Sequence, residues 1–149
     1  MSANATVLLV DDEPMVRRAI ARLLRKAGFE TLLADSGESG LETLARAQPQ
    51  AVLLDLNMPG LGGLETLTLA VERAPDTPII VVSGSGAIDD VVEAVHRGAW
   101  DYVMKPIGDA EMLLQPLRRA LEKADLVHQL QTQRASLVRL NEQLTDAVA

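Results

Sequence analysis

The sequence predicts an α/β fold built on a five-stranded parallel sheet, and three observations carry that expectation. Short runs rich in Val, Leu and Ile alternate, between residues 6 and 104, with segments of three- and four-residue apolar spacing. The runs are almost continuously apolar, as strands covered on both faces are, rather than alternating with polar residues. Charged side chains follow three of the runs directly: Asp11-Asp12, Asp55 and Lys105.

The first strand, over 6–10, contains Val7-Leu8-Leu9-Val10. In the helix after it, Val16, Ala19, Ile20, Leu23, Leu24 and Ala27 share one face, with Arg17, Arg18, Arg22 and Arg25 largely on the other. Pro14 suits its first turn, and Gly28 stands just past its end. A second strand over 29–34 leads to a helix from about Glu38 to Ala47, and a third strand, Ala51-Val52-Leu53-Leu54, to a helix over Gly63–Ala74. The fourth strand spans 78–83. Its helix is expected to pack through a stripe of Ile88, Val91, Val92 and Val95, closed by Gly98. The fifth strand spans 100–104. Right-handed crossovers would place the helices on both faces of the sheet. Residues 1–108 contain no internal repeat and no low-complexity linker.

From Asp109 to Ala149 there is no glycine, and Pro116 is the only proline. A helix of that length exceeds what the sheet can cover. Leu113, Leu117 and Leu121 are placed to pack onto it, and beyond about Ala124 the helix should project. There Leu130, Leu137 and Leu144 recur every seven residues, as in a coiled-coil seam. One register pairs them with Val127, Arg134, Asn141 and Val148, where Asn141 would serve as a dimer specifier, the other with Leu126, Gln133, Leu140 and Ala147.

At 149 residues the chain suits one domain with an appendage. Phe29, Trp100 and Tyr102 are its only aromatics, so the core must be aliphatic. A net charge of -7 argues against a nucleic-acid-binding surface on this chain. The absence of cysteine excludes a disulfide framework, a thiol nucleophile and a Cys-based metal site. With no basic leader followed by a long apolar stretch, and no run of ~18 apolar residues, a cytoplasmic protein without membrane contact is expected.

If the apolar runs are neighbouring parallel strands, their carboxyl ends share the sheet edge where open α/β folds place ligands. Three carboxylates and an ammonium would converge there, a set suited to a hard, oxygen-ligated cation and a phosphoryl group. Taken singly, each residue has a plain structural use: Asp12 as a helix cap, Asp55 in a turn, Lys105 as a solvated cation. Plain uses for all four would require four coincidences on one edge. His96 and His128 have no second ligand at a suitable spacing, and Trp100 reads as packing at a strand entrance.

Four motifs in order then define a resemblance. They are Asp11-Asp12-Glu13-Pro14 after the first strand; Asp55-Leu56-Asn57-Met58-Pro59-Gly60 after the third; Ser83 closing the fourth; and Asp101-Tyr102-Val103-Met104-Lys105-Pro106 at the fifth. Over residues 4–124 the chain resembles the receiver domain of bacterial two-component response regulators. The resemblance implies a doubly wound, flavodoxin-like sheet of strand order 2-1-3-4-5. It implies a receiver unit over 1–124 and a helical linker over 125–149, leading toward an output domain outside this chain. It further implies that Asp55 accepts a phosphoryl group from a sensor histidine kinase, and that Asp11, Asp12, Asp55 and the backbone carbonyl of Asn57 hold Mg²⁺. Lys105 and Ser83 would take phosphoryl oxygens, Ser83 and Tyr102 would form the switch, and Lys105-Pro106 would be cis. The helix would transmit the change, through homodimerisation. No enzymatic turnover beyond self-phosphotransfer and autodephosphorylation is implied.

Other functions fit less well. A Mg²⁺-dependent phosphohydrolase of the haloacid dehalogenase type would have a general-acid Asp two residues after the nucleophile, where this chain has Asn57. A phosphorylation-independent interaction domain would not need the whole acidic set together with Ser83 and Lys105. A dinucleotide-binding module would carry Gly-x-Gly-x-x-Gly where Asp11-Asp12-Glu13-Pro14 stands.

Overall fold

The computed structural model describes residues 5–84 and 88–148. Ala149, the end of the last predicted helix, lies outside the described residues. The elements are β1 (Thr6–Val10), α1 (Pro14–Lys26), β2 (Glu30–Ala34), α2 (Gly37–Ala47), β3 (Ala51–Asp55), α3 (Gly63–Arg73), β4 (Ile79–Ser83), α4 (Ile88–His96), β5 (Asp101–Met104) and α5 (Ala110–Val148). Every strand pair is parallel and the order is β2-β1-β3-β4-β5, as expected. β3 and β4 are buried at every position, whereas the edge strands β2 and β5 expose Glu30, Leu33 and Tyr102.

Alternation along the strands divides the core in two. On one face Val7, Leu9, Leu53, Ile80, Val82 and Val103 pack under α1, through Ile20 and Leu24, and under α5, through Leu113 and Leu117. On the other Leu8, Val10, Val52, Leu54, Ile79 and Val81 meet Leu41 and Leu44 of α2, Leu67 of α3 and Ala94 of α4. Both layers are aliphatic apart from Phe29, and Trp100 packs against the first from the threshold of β5.

Local chemistry sets the helix ends. Ser36 caps α2, accepting from the Ser39 amide at 3.1 Å while the Ser39 hydroxyl accepts from the Ser36 amide. Gly28 and Gly98, with φ of 98° and 115°, turn the chain out of α1 and α4.

The expected stripe of α4 is corrected. Val91 is buried, but its buried companion is Ala94; Ile88, Val92 and Val95 are 49–62% exposed. The helix is apolar around more than half its circumference, so spacing alone does not tell which stripe faces the sheet.

α5 continues past the sheet without interruption, although Pro116 cannot donate to the Met112 carbonyl one turn earlier. Leu113, Leu114, Leu117 and Ala120 are buried, Leu121, Ala124 and Val127 half-buried, and residues 128–146 all exposed. Among the described residues, no helix is long and apolar enough to cross a membrane.

Candidate functional site

β1, β3 and β4 end at one edge of the sheet, and the residues beyond them meet there. Asp11 and Asp55 are each 1% exposed, Asp12 is half-buried, and each offers an oxygen within 4.8 Å of the others. Lys105, one residue past β5, places Nζ 3.4 Å from Asp11 Oδ2 and 3.6 Å from Asp55 Oδ2. The Lys105–Pro106 bond is cis. The structure therefore brings together the three carboxylates and the lysine singled out in the sequence.

Backbone amides hold the carboxylates in place. The Glu13 amide donates to Asp11 Oδ1 at 2.9 Å, and the Asn57 amide to Asp55 Oδ1 at 3.0 Å. Both are two-residue loops that a strand-terminal Asp makes readily. The strand ends are joined in turn: the Leu56 amide donates to the Val82 carbonyl at 3.0 Å and the Lys105 amide to the Ser83 carbonyl at 2.7 Å. Arg17 donates to the Asp11 carbonyl at 2.8 Å, a contact for which the sequence offered no signal beyond a basic residue in the first helix.

Among the described residues, Asp12 Oδ1 and Asp55 Oδ2 are buried without a hydrogen-bond partner. Nor does Asp12 cap the helix: the N-cap of α1 is Glu13, with no side-chain cap bond. Two orphaned carboxylate oxygens beside a third carboxylate form a donor set of the hard-oxygen type that Mg²⁺ takes, so the residues present fit that ion.

Burial pushes the Asp55 carboxyl from its ordinary 3.8 up to about 6. The Asn57 amide pulls it down, Asp11 raises it, Lys105 lowers it and Asp12 raises it, in decreasing order of effect.

Ser83 is completely buried at the end of β4 and donates to the Gly84 carbonyl at 3.4 Å. Gly84 keeps this edge low: a Cβ there would come within 3.4 Å of Asn57 Nδ2. Tyr102 stands apart from the cluster, 45% exposed on β5. Asn57 is exposed, with its amide on Asp55. His96 and His128 are exposed on helices and belong to no carboxylate or imidazole group that could hold a metal among the described residues.

Comparison with known proteins gives a consistent picture. The family model for the response regulator receiver domain matches residues 7–118. The chain is 42% identical to the nitrate/nitrite response regulator protein NarL of Escherichia coli K12 over 118 residues, covering 78% of this chain and 54% of NarL. It is 38% identical to the C4-dicarboxylate transport transcriptional regulatory protein DctD of Rhizobium meliloti, covering 85% of this chain and 27% of that protein. Among solved structures, NtrX of Brucella abortus in complex with ADP superposes with a TM-score of 0.82 at 35% identity, covering 86% of this chain and 29% of that one. A receiver domain from Clostridium thermocellum does so with a TM-score of 0.79 at 30% identity, covering 83% of this chain and 98% of that one. The chain thus spans about half or less of the length of these curated relatives.

Proposed function

Because the chain belongs to the response regulator receiver domain family of two-component signalling, we propose that it is a phosphorylation-controlled switch whose phosphoacceptor is Asp55. The observation that carries this reading is the buried Oδ2 of Asp55, which has no hydrogen bond among the described residues, is flanked by Asp11 and Asp12 and lies 3.6 Å from the Lys105 ammonium. An oxygen of the Asp55 carboxylate forms the new O–P bond as the N–P bond to a histidine of the sensor kinase breaks, and the departing imidazole keeps that electron pair. Such a transfer depends on positioning and on neutralising charge at the phosphoryl oxygens. Lys105 supplies one positive charge; Ser83 supplies a hydroxyl donor.

Asp11, Asp12 and Asp55, with the Asn57 carbonyl, would hold a Mg²⁺ ion, whose charge favours the ionised Asp55 and offsets charge on the transferred group. The switch itself is a two-state equilibrium in Ser83 and Tyr102. The Ser83 hydroxyl turns toward the phosphoryl group, Tyr102 moves inward, and the face of α4, β5 and α5 changes. Residues 1–124 act as the receiver and 125–149 as a linker that carries the change, through self-association, toward an output unit. The reaction is confined to the protein's own aspartate: phosphotransfer from a kinase or a small phosphodonor, then autodephosphorylation. The setting is the cytoplasm.

Incubation with acetyl phosphate and Mg²⁺, followed by peptide mapping in a mass spectrometer, tests the assignment. One phosphoryl group per chain is expected, on Asp55. An unmodified wild type, or an Asp55→Ala variant modified as fully as the wild type, would refute it.

A further inference from the structure

The structure separates the two coiled-coil registers that the sequence leaves open. α5 docks on its own sheet through Leu113, Leu114, Leu117 and Ala120. At ~100° per residue, these positions define one side of the helix. Leu126, Leu130, Leu137, Leu140 and Leu144 fall within roughly 80° of arc centred almost opposite that side, and each is 53–66% exposed. Their stripe therefore does not continue the contact that holds the helix to its domain. It is a second, separate apolar face.

We propose that this face pairs with the same face of a second copy of the chain, in parallel. The register places Leu130, Leu137 and Leu144 at one seam position of the heptad and Leu126, Gln133 and Leu140 at the other. The proposal rests on the self-association proposed above for its occupant, and not on phosphoryl transfer.

Three features favour this register and this occupant. The alternative seam would begin at Val127, which is already half-buried, and would bring two Arg134 guanidinium groups face to face. In the chosen register the one polar layer is a neutral amide, Gln133. Along residues 125–148 two arginines stand against three carboxylates, so two copies meet without a strong like-charge field.

The seam also has a defined upper end. The preceding seam positions, Lys123 and Arg119, are engaged with β5 and its threshold: Lys123 Nζ lies 5.2 Å from the Trp100 ring centre, and Arg119 Nη2 lies 3.7 Å from Asp101 Oδ2. Each would also meet its own copy across the two-fold axis. Pairing starts at Leu126, and above it the two helices diverge into their domains.

The chain contains no cysteine, so single substitutions in the full chain report the register. Under mild oxidation, Leu140→Cys and Gln133→Cys are expected to form disulfide-linked dimers several-fold faster than Asn141→Cys and Arg134→Cys. Faster linking at the second pair overturns the register. A dimeric mass with no linking at any of the four overturns the parallel orientation. A monomeric mass for the unsubstituted chain in sedimentation equilibrium, at every concentration tried, overturns the pairing altogether. Leu137→Glu is expected to be monomeric while still phosphorylated on Asp55 by acetyl phosphate, which would assign its changed mass to the seam rather than to a lost fold. A dimeric Leu137→Glu overturns the proposal.

Discussion

Asp55 is held in a place that suits its carboxylic acid better than its carboxylate. The fold binds its proton more tightly than the unfolded chain does, so between 3.8 and about 6 the native state carries the excess proton. The contribution of Asp55 to stability is therefore fully present below 3.8 and is lost as the pH rises through about 6. A difference of that size is worth ~3 kcal/mol if nothing relaxes. Asp55→Asn is accordingly expected to raise the urea-unfolding free energy by about 1–3 kcal/mol at pH 8 without Mg²⁺, and to change it little at pH 4. Added Mg²⁺ should stabilise the wild type more than the variant, because the proposed ion site exists only in the folded chain. An Asp55→Asn variant less stable than the wild type at pH 8 would contradict this account. At this scale the sequence was legible where a charged residue stood directly after an apolar run, as Asp11, Asp12, Asp55 and Lys105 do. It was silent on Arg17, because a guanidinium that reaches a backbone carbonyl six residues back leaves no motif.

Between β3 and α3 lies a loop whose path depends on Gly63, the first residue of α3. A Cβ at Gly63 would overlap the backbone of Leu56, immediately after Asp55, and neither group is the end of a flexible side chain. Gly63→Ala is expected to cost about 2 kcal/mol or more, the scale of overpacking a filled site. Gly108→Ala, with nothing within 4 Å of the added Cβ, should be close to neutral. Thermal unfolding of the two variants side by side checks this, and equal midpoints would show that the loop yields. Elements with one apolar stripe were readable from spacing: α1 buries Ile20 and Leu24, both on its predicted face. α4 was not, since Ile88, Val91, Val92 and Val95 are a good stripe by spacing and a poor one by contact. What the sheet covers depends on how the crossover from β4 sets the helix down, which is a tertiary property. α2 closes without a glycine: Ser36 and Ser39 cap its start, and Gln48 adopts a left-handed conformation, φ 48°, at its end.

At the scale of the molecule, the chain is two structures that share one helix. Up to Leu121, α5 packs into the core; residues 128–146 are exposed, and the site lies at the edge formed by the ends of β1, β3 and β4. The strand order was legible because four motifs fell in sequence, whereas the pairing face of the projecting helix was not. Heptad spacing gives a seam two partners on either side, and only the docking of Leu113, Leu117 and Ala120 shows which side is free. The two parts should therefore come apart cleanly. A chain ending at Gln129 keeps every buried residue of α5, so it should retain its sheet, its unfolding midpoint to within about 3 °C at matched monomer concentration, and phosphorylation of Asp55 by acetyl phosphate. It should lose helical circular dichroism in proportion to the residues removed, and with it all self-association. A truncated chain that folds but no longer accepts the phosphoryl group would mean that the projecting helix reaches back to the carboxylates at the far edge of the sheet. A truncated chain that still self-associates would move the contact onto the receiver, where Ile88, Val92, Val95 and Tyr102 are the exposed apolar side chains nearest to hand.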